Sequence, residues 1–335
     1  MDLLQLGEWS PFRETRRQGS LSIGTLLVMS FHYDMRRVSR RTAVQACLIG
    51  AASVPFLATA SADKPKSSNP HPLQGNKEPW QTLPPTPTLP TPRRTDWASI
   101  NKTSIFFAQF GSEDRPQVLL LHGGLANSNY WGLQVLELAE RFSIIVMDTR
   151  GHGRSPLLSR KFSYRIFAED AVALLDHLQV PAASIVGWSD GANTGLQLAL
   201  ANPSRVTKLF AFGATSSVQG LKADRTGLFA VYVNRCKAEY KALSPSPEKW
   251  PELVNGLRGM WRMEPNLTKQ KLGSLNVPTT ISDGEHDEII NLEHTKQIAN
   301  EIPRAQLAVQ RGVSHFAMLQ NPIQFNKLLI DFLTA

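Results

Sequence analysis

From residue 97 onward the chain alternates two kinds of apolar pattern. Short unbroken apolar runs occupy 105–108, 118–121, 144–147 and 209–212, and two more strand-length segments, 183–186 and 277–281, are read with them although Ser184 and Pro278-Thr279-Thr280 interrupt them. A run with no polar interruption is what a strand covered on both faces requires. Between the runs lie stretches with helical spacing. In "FAEDAVALLDHL" (167–178), Ala168, Ala171, Val172, Leu175 and Leu178 recur near every 3.6 residues. In "NTGLQLALANP" (193–203), Leu196, Leu198 and Leu200 precede an Asn202-Pro203 stop. Strands alternating with helices predict an α/β architecture, with a mostly parallel sheet and helices on both faces.

The stretch Gly187-Trp188-Ser189-Asp190-Gly191 fits the pattern G-x-S-x-G. It falls where a predicted strand ends and a predicted helix begins, the setting of a nucleophile elbow. Flanking glycines relieve crowding at a sharp turn. The helix N-terminus beyond favours developing negative charge. The alternative role for Ser189 is a helix N-cap. A serine nucleophile needs a base, and the base needs an orienting acid. Asp287, in "TTISDGEHDEII", is the expected acid, weighed against Asp283, Glu285 and Glu288. His315, in "VQRGVSHFAML", is the expected base. His286 sits next to the acid and reads as a solvated loop residue. Both Asp287 and His315 follow predicted strands, at the sheet edge where open α/β folds place their sites. Gly124 and Asp190 are expected to offer backbone N–H groups to an oxyanion, with Leu125 as the alternate to Gly124. His122 reads as a structural hydrogen-bonder. Tyr130 and Trp131 either line a pocket or pack a helix. Leu125, Trp188 and the Asp190 side chain are candidate substrate contacts.

Composition changes the picture mainly at the front of the chain. Of the formal net charge of +8, residues 1–62 carry seven Arg and four Asp/Glu, or +3, and the rest is spread. No basic run is interleaved with aromatics, so nucleic acid is not expected as a partner. Two cysteines without metal-ligand spacing, Cys47 and Cys236, predict neither a disulfide framework nor a metal site. The sequence from Met35 has a basic start with Arg40-Arg41, a small-residue apolar run and an Ala60-Ser61-Ala62 cleavage pattern. That order resembles a twin-arginine export signal, so translation is expected to start at Met29 or Met35 and the mature protein to be periplasmic or secreted, or cytoplasmic if the leader is not functional. Gln45, Ser53 and Pro55 interrupt the run, so no stable membrane span is expected after processing. Residues 63–96, rich in proline, read as a linker or tether. The remaining 97–335 form the expected catalytic domain.

Taken together, His122-Gly123-Gly124, "DTRGHGRS" (148–155), the Ser189 elbow, Asp287 and Ser314-His315-Phe316 resemble the α/β-hydrolase superfamily. The resemblance implies an α/β-hydrolase fold with an eight-stranded sheet and a small helical cap over about 214–272. It also implies a serine hydrolase of carboxylic esters that needs no cofactor. Lactone, amide, perhydrolase and carbon–carbon bond chemistry, or slow-turnover ligand binding, are the alternatives. The elbow more narrowly resembles that of valacyclovir hydrolase-like esterases, which implies that the Asp190 carboxylate attracts a substrate ammonium. The cap aromatics Phe229, Tyr232, Trp250 and Trp261, with Met263, are expected to build the cap's own core in preference to a pocket.

Overall fold

The structure, a computed structural model, describes residues 77–159 and 161–335. The leader and export signal expected over 1–62, and residues 63–76 of the expected linker, lie outside the described residues. The strands are β1 (Arg94–Ile100), β2 (Thr103–Phe110), β3 (Gln117–Leu121), β4 (Ser143–Met147), β5 (Ala183–Trp188), β6 (Val206–Phe212), β7 (Thr279–Gly284) and β8 (Gln306–Gln310). They form one sheet in the order β1-β2-β4-β3-β5-β6-β7-β8. β2 pairs antiparallel with both β1 and β4, and every other pairing is parallel. The helices are α1 (Gly132–Leu138), α2 (Tyr164–His177), α3 (Asp190–Ala201), α4 (Leu228–Leu243), α5 (Trp250–Trp261), α6 (Lys269–Gly273), α7 (Leu292–Glu301), α8 (Ala317–Gln320) and α9 (Pro322–Thr334).

The continuous apolar runs become period-two strands with two buried faces. Along β3, Leu119 and Leu121 join the core beneath α2, α3 and α7, while Val118 and Leu120 join the core beneath α1, α8 and α9. All four are at most 2 % exposed. At roughly 1.5–3 kcal/mol for each large apolar side chain taken out of water, such strands anchor the sheet. The parallel strands β5, β6, β7 and β8 therefore bring their C-terminal ends to one edge of the sheet. Helices α4, α5 and α6 lie between β6 and β7, in the span expected for the cap.

Two features differ from expectation. β1 begins at Arg94, within the stretch assigned to the linker. It is an edge strand in which Ala98 alone is buried, so its residues carry no apolar rhythm. Residues 77–93, expected to act as a linker, lie against the catalytic unit. Prolines remove N–H donors but leave carbonyls that need partners. Gln320 donates to the Thr82 carbonyl (2.8 Å) and Arg235 of α4 to those of Leu83 (2.8 Å) and Pro84. Leu83 and Leu89 pack on the core, and Trp80 stacks on His286 at 4.6 Å between ring centroids. Among the described residues no helix is long and apolar enough to cross a membrane.

Candidate active site

β5 ends at Trp188 and α3 begins at Asp190, which leaves Ser189 alone on the turn. Its backbone is at φ 56° and ψ −119°, a conformation that a side chain other than glycine adopts only under constraint. The constraint is visible. Ser189 N–H donates to the Phe212 carbonyl (2.8 Å), and Asn193 N–H donates to the Ser189 carbonyl (3.0 Å). The Ser189 hydroxyl makes no capping bond to the helix; it lines a cavity together with His315. The glycines around it are required by close approach. A Cβ on Gly191 would overlap the Leu121 carbonyl oxygen, and one on Gly187 would overlap the carbonyl of Gly191. These obstacles are backbone and cannot rotate away. Gly191→Ala is therefore expected to destabilise the fold by roughly 3 kcal/mol, read as a lower urea midpoint at unchanged m-value.

His315 lies between β8 and α8, and Asp287 follows β7. The structure brings the two together, with Nδ1 of His315 2.6 Å from Oδ2 of Asp287. The other carboxylate oxygen of Asp287 accepts the N–H groups of Ile289 (2.7 Å) and Ile290 (2.6 Å), which fixes its loop. Trp188 Nε1 donates to the His315 carbonyl at 2.9 Å. Gly213, at φ 64°, leaves room for the imidazole: a Cβ there would come within 2.7 Å of His315 Cε1. Burial alone would lower the His315 pKa, but the charge and hydrogen bond of Asp287, with Glu288 and Asp190 adding, leave it above the usual 6.5. Burial opposes ionisation of Asp287, yet the charge and hydrogen bond of His315 hold it below the usual carboxylate range.

The other carboxylates weighed as the acid fall into two groups. Glu285 is exposed, and so is His286 beside it. Asp283 and Glu288 are buried next to Asp287. Burial and the Asp287 charge push Glu288 up to about 7 and raise Asp283 well above the carboxylate range. Asp283 accepts bonds from Thr295 Oγ1 (2.5 Å) and Gly284 N–H (2.9 Å), and Glu288 accepts the His315 N–H (3.2 Å).

The N–H groups of Gly124, Leu125 and Asp190 have no acceptor among the described residues. Those of Gly124 and Asp190 belong to residues that line the cavity beside Ser189. Tyr232 of α4 donates to the Gly124 carbonyl at 2.5 Å and so ties the cap to this loop. The Leu125 side chain packs in the core, not in the cavity, because its φ of 68° turns it inward. Trp188 does line the cavity. Tyr130 and Trp131 are fully buried and pack, Trp131 against Phe325 of α9. His122 is a buried hydrogen-bonder, with Nδ1 2.8 Å from the Gly123 carbonyl and Nε2 accepting the Thr149 N–H at 3.0 Å.

The cavity encloses about 350 Å³. The cap aromatics divide, against the expectation that they form one cap core. Phe229, Tyr232 and Trp261 line the cavity, Trp250 packs on Tyr240, and Met263 is exposed. Trp250 and Trp261 stand at opposite ends of α5, so position along the helix separates them, and Met263 lies beyond the end of α5. Asp190 is 8 % exposed, so its carboxylate is not a surface group. It accepts bonds from Tyr164 Oη (2.7 Å) and Trp261 Nε1 (2.9 Å), and burial pushes its pKa up to about 6 despite them. Sequence reasoning did not find Tyr164, Asn193, Thr215, Lys222, Arg262 or Glu264, all of which line the cavity. Asn193 lies on α3 four residues after Ser189, while the others lie on segments with no fixed spacing to the elbow, so no sequence signal marks those.

Comparison with known proteins agrees with this architecture. Residues 116–234 match the family described as having the alpha/beta hydrolase fold. The human serine hydrolase BPHL is 29 % identical over 256 residues, covering 70 % of this chain and 84 % of that protein. A non-heme haloperoxidase of Rhodococcus erythropolis is 28 % identical over 269 residues, covering 70 % and 97 %. Among solved structures, the enol-lactonase of Burkholderia xenovorans LB400 superposes with a TM-score of 0.60 at 19 % identity, over 72 % of this chain and all of that one. The fold is that of the α/β hydrolases.

Proposed function

We infer that this chain, a member of the α/β-hydrolase superfamily, is a serine hydrolase that cleaves a carboxylic ester through an acyl-enzyme. The observation that carries this reading is Ser189 on a constrained strand-to-helix turn, in one cavity with a histidine held by a buried carboxylate. Ser189 Oγ attacks the ester carbonyl while His315 takes its proton. The negative charge that develops on the carbonyl oxygen falls to the N–H groups of Gly124 and Asp190. Each donor is worth roughly 3 kcal/mol in a comparable oxyanion hole. The imidazolium of His315 then protonates the leaving alcohol, with Asp287 stabilising its charge. Water, deprotonated by the same imidazole, releases the acid. A fluorescent fluorophosphonate tests this directly. Labelling of the wild type, lost in both Ser189→Ala and His315→Ala, supports an activated serine. A folded wild type that takes no label rejects it.

A second reading narrows the ester to an aminoacyl one. It is favoured by the Asp190 carboxylate, which lines the cavity, is buried, and among the described residues has only the neutral donors Tyr164 and Trp261 as side-chain hydrogen-bond partners. Asp190→Asn is then expected to reduce kcat/KM for an amine-bearing ester about tenfold more than for a neutral ester of the same alcohol. Equal losses on both esters would assign Asp190 to holding the cap alone.

A further inference from the structure

The mouth of the cavity carries two cations. Lys222 and Arg262 both line the cavity and both are exposed. Neither has a carboxylate partner among the described residues. The two acids nearest to them in sequence are committed elsewhere. Asp224 spends its carboxylate on the start of α4: Oδ1 accepts from Thr226 N–H (2.7 Å), Thr226 Oγ1 (2.7 Å) and Gly227 N–H (3.1 Å), and Oδ2 accepts from Phe229 N–H (3.0 Å). Glu264 Oε2 accepts the Tyr164 N–H at the start of α2 (2.9 Å). Both acids serve helix N-termini, where a carboxylate is well placed.

The segment that carries Lys222 is anchored. Lys222 N–H donates to the Ile289 carbonyl (2.9 Å), and Leu221 bridges to Ile290. Ile289 and Ile290 are the residues whose N–H groups Asp287 holds. One wall of the mouth is thus fixed to the loop of the acid. The lining that Ser189 shares with these cations includes the apolar side chains of Val218, Leu221, Phe229, Ile289 and Ile290. Of the four charged residues that line this cavity, the two exposed ones are the cations, whereas Glu264 is half-buried and Asp190 buried; cations at the entrance of a low-dielectric cleft concentrate anionic ligands.

We propose that Lys222 and Arg262 form an anion subsite, and that the substrate is an ester with a carboxylate at the far end of an apolar acyl or alcohol chain. The proposal rests on the hydrolase reading above and names the substrate class of that same site. The scissile carbonyl lies at Ser189, the apolar chain along the isoleucine wall, and the carboxylate between the two cations.

Two matched ester pairs test it in the full chain. Mono-p-nitrophenyl adipate and p-nitrophenyl hexanoate differ in terminal charge on the acyl side. 4-Acetoxybenzoate and 4-acetoxybenzamide differ in charge on the alcohol side. The readout is the ratio of kcat/KM, anionic over neutral, within each pair. In the pair that places its anion correctly, Lys222→Ala/Arg262→Ala lowers this ratio about tenfold, as expected for losing two exposed charge contacts. Lys222→Arg/Arg262→Lys keeps the wild-type ratio, and Lys222→Glu/Arg262→Glu inverts the preference. Ratios within about twofold of wild type in both pairs for the Ala and Glu doubles, with the neutral esters still turned over, overturn the subsite and leave the hydrolase reading standing. A wild type that turns over none of the four esters and takes no fluorophosphonate label overturns both.

Discussion

Ser189→Ala is expected to lower kcat on a p-nitrophenyl ester by roughly a millionfold, the scale on which removing a serine nucleophile acts in such triads. The loss is this large because His315 and Asp287 act only through the serine. With no hydroxyl to deprotonate, their arrangement has no reaction to serve. The residual rate reflects substrate held against the N–H groups of Gly124 and Asp190, worth about a thousandfold over water. Fold and stability should change little. Ser189 makes its structural contacts through its backbone, to Phe212 and Asn193, and alanine retains both. The check is steady-state turnover with protein from a host lacking background esterase, alongside thermal melting. A variant that melts like wild type yet retains a tenth of its activity would place the nucleophile elsewhere.

Asp287→Asn is expected to cost about ten-thousandfold in kcat, since the amide leaves the imidazole in place but removes the charge that fixes its tautomer and stabilises its cation. The pH profile gives a second readout with a definite sign. His315 must be neutral to accept the serine proton. Its pKa lies above 6.5, chiefly because the charge and hydrogen bond of Asp287 outweigh burial. The acid limb of wild-type kcat/KM should therefore have its midpoint above about 6.5. Removing Asp287 takes that support away, so the limb in Asp287→Asn should move to lower pH as the rate falls. Glu288 is raised to about 7 partly by the Asp287 charge, so it ionises more readily in the variant. Adding Glu288→Gln to Asp287→Asn should then shift the limb down further. A limb that stays in place when Asp287 is neutralised would show that another group sets the His315 protonation.

These expectations rest on residues of unequal legibility. The place of Ser189 on a strand-to-helix turn could be read from a few neighbouring letters, because so sharp a turn needs small residues at fixed offsets. The structure shows what those glycines avoid, namely the carbonyls of Leu121 and Gly191. Asp287 and His315 could be read because each follows a strand at the same sheet edge. The span 214–272, which the resemblance implied to be helical, contains α4 and α5. β1 was not legible, because an edge strand with one buried residue has no apolar alternation to show. The docking of residues 77–93 was not legible either. Proline marks an extended chain, but the donors that meet its carbonyls, Arg235 and Gln320, are over a hundred residues away in sequence.

What the sequence determined by itself is the architecture and the candidate reacting groups. Apolar runs of strand length, alternating with helical spacing, bury enough surface in only a few ways, and the order of motifs fits one of them. What tertiary structure decided is the environment of those groups. Asp190 reads as an acid next to a serine. Only packing made it a buried carboxylate shared by Tyr164 and Trp261. Lys222 and Arg262 read as two surface cations among many. Only the fold brought them to one cavity, with no carboxylate partner among the described residues. The reason is physical: periodicity is a local property of the chain, whereas desolvation and charge compensation depend on which distant residues arrive beside a group.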